Sequence, residues 1–390
     1  MTRRGDGAVV FVSGEASGDR IAAGIARSLG PSKIRCFGMG GAASAAAGVE
    51  IVADIRRSAA MGLTEVAARL PRLAISFARL SARIRRERPR AAVLVNYTEY
   101  NLLIGRRLRK MGVPVMWCVA PQVWAWRPAR TAAVARAVDR MAVILPFEEA
   151  LWQKAGVDAH YVGHPALDAS PPTRAEARAR LALDGAGPFV ALLPGSRVHE
   201  VRKLAPAMLA AVGLLKQSVP RASARLLAAG SLDPRTLFWL KAEAHKASVD
   251  VIDVEPDQGA ASFLPAFDAA LVASGTATLE CALSGATPVV TYRLSRMTAA
   301  VARRMVRTPH VSLPNVILGG PHYPELLQEQ AEPRAMARQI ALVLERSVEF
   351  AQKADELRRR LVWSTNGTRS PGGSSAERVA ALLSDWIEPA

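Results

Sequence analysis

Short apolar runs alternate with longer stretches of helical spacing along most of the chain, and each run ends in a turn rich in glycine, serine, proline or asparagine. Ala8–Val12, Ala91–Val95, Val113–Val119, Met141–Leu145, Phe189–Leu193, Ala224–Ala228, Val249–Ile252, Ala269–Ala273 and Pro288–Tyr292 read as strands. Most lack apolar–polar alternation, which predicts parallel strands covered on both faces. After the first run, Ile21, Ile25 and Leu29 recur at helical spacing until Gly30-Pro31; after Ala269–Ala273, Leu279, Ala282 and Leu283 do so until Gly285. Strand, loop and helix in repeated order are the mark of doubly wound α/β domains. Two such series predict two Rossmann-like domains with an interdomain cleft, and Ser170-Pro171-Pro172-Thr173 reads as the linker between them.

One stretch breaks this rhythm. Leu63, Val66, Leu70, Leu73, Phe77, Leu80 and Ile84 form an apolar stripe flanked by Arg69, Arg72, Arg79, Arg83 and Arg86. Pro71 predicts two helices or a kink. Such a segment either lies on an anionic bilayer or buries its stripe in the core and solvates its arginines. Arg293, Arg296, Arg303, Arg304 and Arg307, with Met297, Val301 and Met305, make a second basic amphipathic segment.

Composition narrows the partners. Lys plus Arg number 51 against 34 Asp plus Glu, a net charge of +17 over 390 residues, which favours nucleic acid, an acidic membrane surface or phosphorylated substrates. No nucleic-acid recognition motif is present. Cys36, Cys118 and Cys281 lie far apart with no C-x-x-C pair, so neither a zinc site nor a disulfide framework is expected, and a reduced, cytoplasmic setting is. No signal-peptide pattern follows Met1, and no run of about 18 uncharged apolar residues predicts a membrane span.

The candidate chemistry gathers at strand ends. Ser274-Gly275-Thr276-Ala277-Thr278-Leu279-Glu280 opens a helix with small residues, so it suits either a phosphate, with Glu280 one turn in to accept from a ribose diol, or a simple cap by Ser274 or Thr276. Pro194-Gly195-Ser196-Arg197 sets a guanidinium where it could neutralise a diphosphate. The Ser13–Asp19 loop lacks the G-x-G-x-x-G fingerprint; it could cradle an acceptor, or Ser17 and Asp19 could cap the next helix. Asn96 to Asn101 and the Gln122, Trp124, Trp126 and Arg127 cluster follow two further strands, and His164 precedes Pro165 in a loop.

In order, Gly14–Asp19, Met61–Val66, Pro121–Arg127, Val162–Pro165, Leu193–Arg197, Ser274–Glu280, Leu313-Pro314-Asn315 and Pro324–Gln328 resemble the motifs of the lipid A disaccharide synthases, inverting glycosyltransferases of the two-domain GT-B architecture. That resemblance implies a UDP-diacylglucosamine donor, a diacylglucosamine 1-phosphate acceptor, a β-1,6 bond, release of UDP, and no metal or other cofactor. It assigns residues 1–170 to an acceptor- and membrane-facing domain, 171–350 to a UDP-sugar domain, and 351–390 to helices packing back on the first. Arg197, Ser196, Ser274, Gly275, Thr276, Thr278, Glu280, Asn315, Glu325 and Gln328 fall on the donor side; Glu15, Ser17, Asp19, Gln122, Trp124 and Arg127 fall on the acceptor side. Leu63, Val66, Leu70, Arg69 and Arg72 become a patch for the anionic inner-membrane surface, with no nucleic-acid role. The family's usual Ile-Asp-x-Pro-Asp-Phe-Asn reads Val95-Asn96-Tyr97-Thr98-Glu99-Tyr100-Asn101 here, so Asn96 stands where the general base is expected and Glu99 is its candidate replacement. That change leaves open a sugar-nucleotide enzyme with a different acceptor, or a weakly catalytic paralogue that binds UDP-sugar or lipid.

Overall fold

The apolar runs form two parallel sheets in a computed structural model that describes all residues except 1–6, 33, 56–62, 169, 186, 256–258, 296–297, 300–307, 366–367, 370–372 and 388–390. The chain divides into two compact units, residues 1–168 with 361–390, and residues 169–360.

In unit 1, β1 (Val9–Ser13), β2 (Cys36–Gly40), β3 (Val49–Asp54), β4 (Ala91–Val95), β5 (Val115–Cys118), β6 (Arg140–Val143) and β7 (Asp158–Tyr161) assemble in the order β3-β2-β1-β4-β5-β6-β7. Every pairing is parallel. Side chains alternate across the sheet, and here both faces are buried: Val10, Val12, Ala92 and Leu94 join one core, Val9, Phe11, Val93 and Val95 another. This is why β1 and β4 read as unbroken apolar runs. The helices are α1 (Ala16–Ser28), α2 (Ala42–Ala46), α3 (Leu63–Glu87), α4 (Thr98–Lys110), α5 (Val123–Trp126), α6 (Thr131–Ala135) and α7 (Pro146–Lys154).

Pro71 does not divide α3, which runs as one 25-residue helix through it; a proline there forfeits a single backbone hydrogen bond and its neighbours carry the helix on. Leu80 and Ile84 are fully buried, and Leu73 and Phe77 pack on the same core. That half of the stripe is therefore core and not a bilayer face. Leu63, Val66, Arg69, Leu70 and Arg72 lie on the helix, but their side chains are outside the described residues, as is most of the second basic segment.

In unit 2, α8 (Arg174–Arg180) opens on a capping box between Thr173 and Glu176, directly after the proline-rich linker. Then β8 (Phe189–Leu193), α9 (Val198–Ser218), β9 (Ser223–Ala229), α10 (Pro234–Lys246), β10 (Asp250–Val254), β11 (Ala269–Ala273), α11 (Thr276–Ser284), β12 (Thr287–Tyr292), α12 (Leu313–Leu318), β13 (Glu325–Leu327), α13 (Pro333–Glu345) and α14 (Ser347–Leu361) follow. The sheet order is β10-β9-β8-β11-β12-β13, again parallel.

The expected return to the first domain at residue 351 moves to 361. Arg358 donates to Leu283 O and Arg360 to Ile317 O at 2.7 Å, which anchors α14 to unit 2. Leu361 O accepts from Tyr161 Oη at 2.6 Å, and α15 (Ser375–Ile387) buries Val379, Leu383 and Ile387 beside α1 in the second core of unit 1. Among the described residues no helix is long and apolar enough to cross a membrane.

Candidate functional site

Each sheet reverses its strand order once, between β1 and β4 in unit 1 and between β8 and β11 in unit 2. Loops leaving two such strands diverge to opposite faces and open a crevice at the carboxyl edge, where ligands of open α/β sheets bind.

In unit 2, Leu193 pairs with Val272, so the loops at 194–197 and 274–275 leave the sheet as neighbours. Gly195 has φ +113°, a conformation side chains disfavour, and a Cβ there would come 2.5 Å from Glu200 Oε2. The buried Glu200 carboxylate accepts from Arg197 Nη1 at 3.0 Å and holds a guanidinium that is one-third exposed at the start of α9. Tyr292 faces this pair: burial raises its pKa, the Glu200 charge adds to that, and Arg197 opposes it.

Beside them, α11 begins at Gly275 with no side-chain cap. The capping alternative for Ser274 and Thr276 therefore falls: Ser274 Oγ donates to Val311 O at 3.0 Å instead, and Gly275 and Thr276 are exposed. Unclaimed N–H groups and the helix dipole favour an anion there. Glu280 is half-buried one turn further in. Ser196 is exposed, and its carbonyl accepts from Ser231 Oγ at 3.4 Å.

Three expected donor contacts turn inward. Thr278 is buried and donates its hydroxyl to Gly275 O at 2.7 Å. Asn315 is fully buried; its Nδ2 donates to Tyr323 O and Glu325 Oε1, each at 2.9 Å, and its Oδ1 accepts from Tyr323 N at 2.8 Å. Glu325 also accepts from Val311 N at 3.1 Å, Ser312 N at 3.0 Å and Ser312 Oγ at 2.6 Å. Buried polar atoms seek partners; those of Asn315 and Glu325 find them within residues 311–325, so these two brace the loop that receives Ser274, while Thr278 closes on the start of its own helix. Gln328, at φ +54°, accepts from Leu294 N at 3.3 Å.

In unit 1, the two loops at the reversal touch: a Cβ on Gly14 would come 2.1 Å from the Tyr97 ring. Asn96 and Tyr97 both take positive φ, +38° and +122°, uncommon for residues with side chains. Burial, and then the nearby Glu15 charge, raise the Tyr97 pKa. Glu15 is the N-cap residue of α1, so neither Ser17 nor Asp19 caps that helix; Ser17 is half-buried in its first turn. Asp19 is not exposed to an acceptor. Its buried carboxylate accepts from Gly41 N at 2.7 Å, Ala43 N at 3.0 Å and Ser44 Oγ, and so fixes the start of α2.

Glu99 is 67% exposed in the first turn of α4 and pairs with Arg127 at 3.4 Å and with Arg130. Arg130 was not singled out by any sequence motif; only its position three residues beyond Arg127 hints at it. Gln122 is exposed, and Trp124 Nε1 donates to Glu148 Oε1 at 3.0 Å. Burial pushes the Glu148 carboxyl up to about 7, against the pull of that indole bond. Its signal in the sequence is a carboxylate placed after Pro146-Phe147 at yet another strand-to-helix turn. His164 serves its own loop, with Nδ1 accepting from Ala166 N at 3.1 Å, and burial drives its pKa down to about 4.

The profile of the lipid-A-disaccharide synthetase family matches residues 9–371. A lipid-A-disaccharide synthase of Anaeromyxobacter dehalogenans (strain 2CP-1) is 40% identical over 350 residues, covering 89% of this chain and 90% of that protein. One from Myxococcus xanthus is 38% identical over 382 residues, covering 96% and 97%. Among solved structures, the UDP-GlcNAc 2-epimerase of Neisseria meningitidis bound to UDP-GlcNAc has a TM-score of 0.63 at 10% identity, covering 96% of this chain and 98% of that one. Acinetobacter baumannii MurG has a TM-score of 0.55 at 12% identity, covering 97% and 99%. These two likenesses bear on the fold alone.

Proposed function

The chain belongs to the lipid-A-disaccharide synthetase family and is a glycosyltransferase of GT-B fold, and we propose that its two strand-order reversals divide the substrates between them. Unit 2 takes the UDP moiety of a UDP-diacylglucosamine, with Arg197 and the start of α11 on the diphosphate and Glu280 on the ribose. Exposed Ser196, Gly275 and Thr276 line that site, with Ser274 and Gln328 at its border. Unit 1 takes a diacylglucosamine 1-phosphate through Glu15, Ser17, Gln122, Trp124 and Arg127. The acceptor 6-hydroxyl gives its proton to a carboxylate base as its oxygen bonds to the donor's anomeric carbon with inversion, the bond to the diphosphate breaks, and UDP leaves with its electron pair. Positive charge and helix-start N–H groups stabilise the departing diphosphate.

The observation that carries this reading is the side-by-side exit of the Arg197 and Ser274 loops beyond the Leu193–Val272 pair. For the base, Glu99 is the exposed carboxylate beside Asn96, and its two arginine partners orient it. The acyl chains of both substrates call for a cytoplasmic protein held at the inner-membrane face, with the 63–72 stretch of α3 as the contact. Incubation with diacylated donor and acceptor, scored for disaccharide and UDP, tests the reaction. Glu99→Gln is expected to lower turnover by about 10²–10⁴. An unaffected Glu99→Gln, or an Asn96→Asp variant faster by orders of magnitude, would remove Glu99 from the base role.

A further inference from the structure

Glu148 is a buried carboxyl that neither the family motifs nor the reaction above uses. It lies 1% exposed in the first turn of α7, its Oε2 has no hydrogen-bond partner, and its Oε1 accepts from the Trp124 indole at 3.0 Å. Withdrawing a carboxyl from water is costly unless a bond repays it, and a leucine or methionine would fill the same space without that penalty. Phe147, next to it, meets the Trp124 ring edge-on with centroids 5.0 Å apart. The start of α7 thus grips Trp124 through a hydrogen bond and a ring contact.

What it grips needs holding. Helix α5 is a single turn with no side-chain cap at its N-terminus; Val123 fastens it to the core on one side and Trp124 to Glu148 on the other. The same turn presents Gln122 to solvent and ends at Arg127, which pairs with Glu99 at the start of α4. We infer that Glu148 is a positioning residue of the acceptor side: by holding the Trp124 indole it fixes the 121–127 turn, and through it the Arg127–Glu99 pair. The inference rests on the acceptor reading of that turn.

The test compares full-length wild type, Glu148→Gln, Glu148→Leu, Trp124→Phe and the Glu148→Leu/Trp124→Phe double variant. The readouts are acceptor kcat/KM at saturating donor, UDP affinity by calorimetry, and amide hydrogen exchange across 121–127. Losing one buried hydrogen bond predicts about a tenfold fall in acceptor kcat/KM for Glu148→Leu and for Trp124→Phe, with UDP affinity unchanged. Because both remove the same bond, the double variant should lose no more than the worse single one. Glu148→Gln, whose amide oxygen can still accept from the indole, should stay near wild type. A multiplicative loss of about a hundredfold in the double variant, or single variants that match wild type, would overturn the inference. Should Glu148→Leu not fold, hydrogen exchange at 121–127 in Trp124→Phe against Glu148→Gln decides it, since Trp124 is itself placed on the acceptor. A wild type that makes no disaccharide would count against the acceptor reading instead. Hydrogen exchange reads the positioning by itself: faster exchange at 121–127 in Trp124→Phe but not in Glu148→Gln supports it, and equal exchange in both refutes it.

Discussion

Two buried titratable residues of unit 1 pull its stability in opposite directions with pH. His164, pushed down to about 4 from 6.5 by burial, stays neutral when folded, so the unfolded chain binds a proton that the native one refuses. Its contribution is fully present above about pH 6.5 and is lost as pH falls towards 4, a swing of about 3 kcal/mol. Glu148, raised from 4.5 to about 7, behaves conversely: its contribution is present below about pH 4.5 and lost as pH rises through 7. Urea titrations from pH 4 to 8.5 should find the rise in stability between about pH 4 and 6.5 flattened in His164→Asn and steepened in Glu148→Gln, which removes the opposing limb between about pH 4.5 and 7. Unchanged limbs would mean that other groups set the profile. Neither role is legible in the linear sequence, and the same holds for Asp19, Asn315 and Glu325. A polar residue beside a glycine turn looks the same whether it meets a ligand or a backbone N–H, and the Asp19 partners lie 22 to 25 positions away.

At the scale of elements, β1, β4, β5, β6, β8, β9, β10, β11 and β12 are legible because burial writes a short apolar run into most of them. Glycine-rich β2 and the edge strands β3, β7 and β13, with polar residues among their positions, carry no such run. The turns after β8 and β11 are legible because Gly195 and Ser274–Thr276 punctuate them. Helix α3 shows where periodicity stops informing. Its stripe is continuous in sequence from Leu63 to Ile84, yet Leu73 to Ile84 belongs to the core while Ile75, off the stripe, is 53% exposed. Hydrophobic spacing identifies a face and not what covers it. The two ends of α3 should therefore respond differently. Arg69→Glu with Arg72→Glu should abolish salt-sensitive flotation with anionic phospholipid vesicles and leave stability alone. Leu80→Ala should cost about 2–5 kcal/mol and leave flotation intact. Flotation indifferent to both charge reversals would remove the membrane role from this helix.

For the molecule as a whole, the division into units follows the hydrophobic cores and not the chain order. Residues 169–360 are contiguous and contain a complete six-stranded sheet, whereas unit 1 is assembled from residues 1–168 and 361–390. Arg90 donates to Ile387 O at 2.7 Å and Arg140 to Leu382 O, so α15 is bonded to the strand region of unit 1 as well as packed on it. A fragment spanning 169–360 should unfold cooperatively on its own, as followed by circular dichroism in urea. A fragment spanning 1–168 should not, until the peptide 361–390 is supplied. A linker is legible from its prolines and serine, as at 170–173, but the second crossing at 360–361 falls inside α14 and carries no such mark. The arrangement also has a consequence for biosynthesis. A ribosome emits the chain from its N-terminus at about 5–20 residues per second, so the first 168 residues emerge early and must wait, with one apolar face uncovered, while the whole of unit 2 is made. The middle of the polypeptide can reach its native state first, and unit 1 is completed only once α15 has emerged.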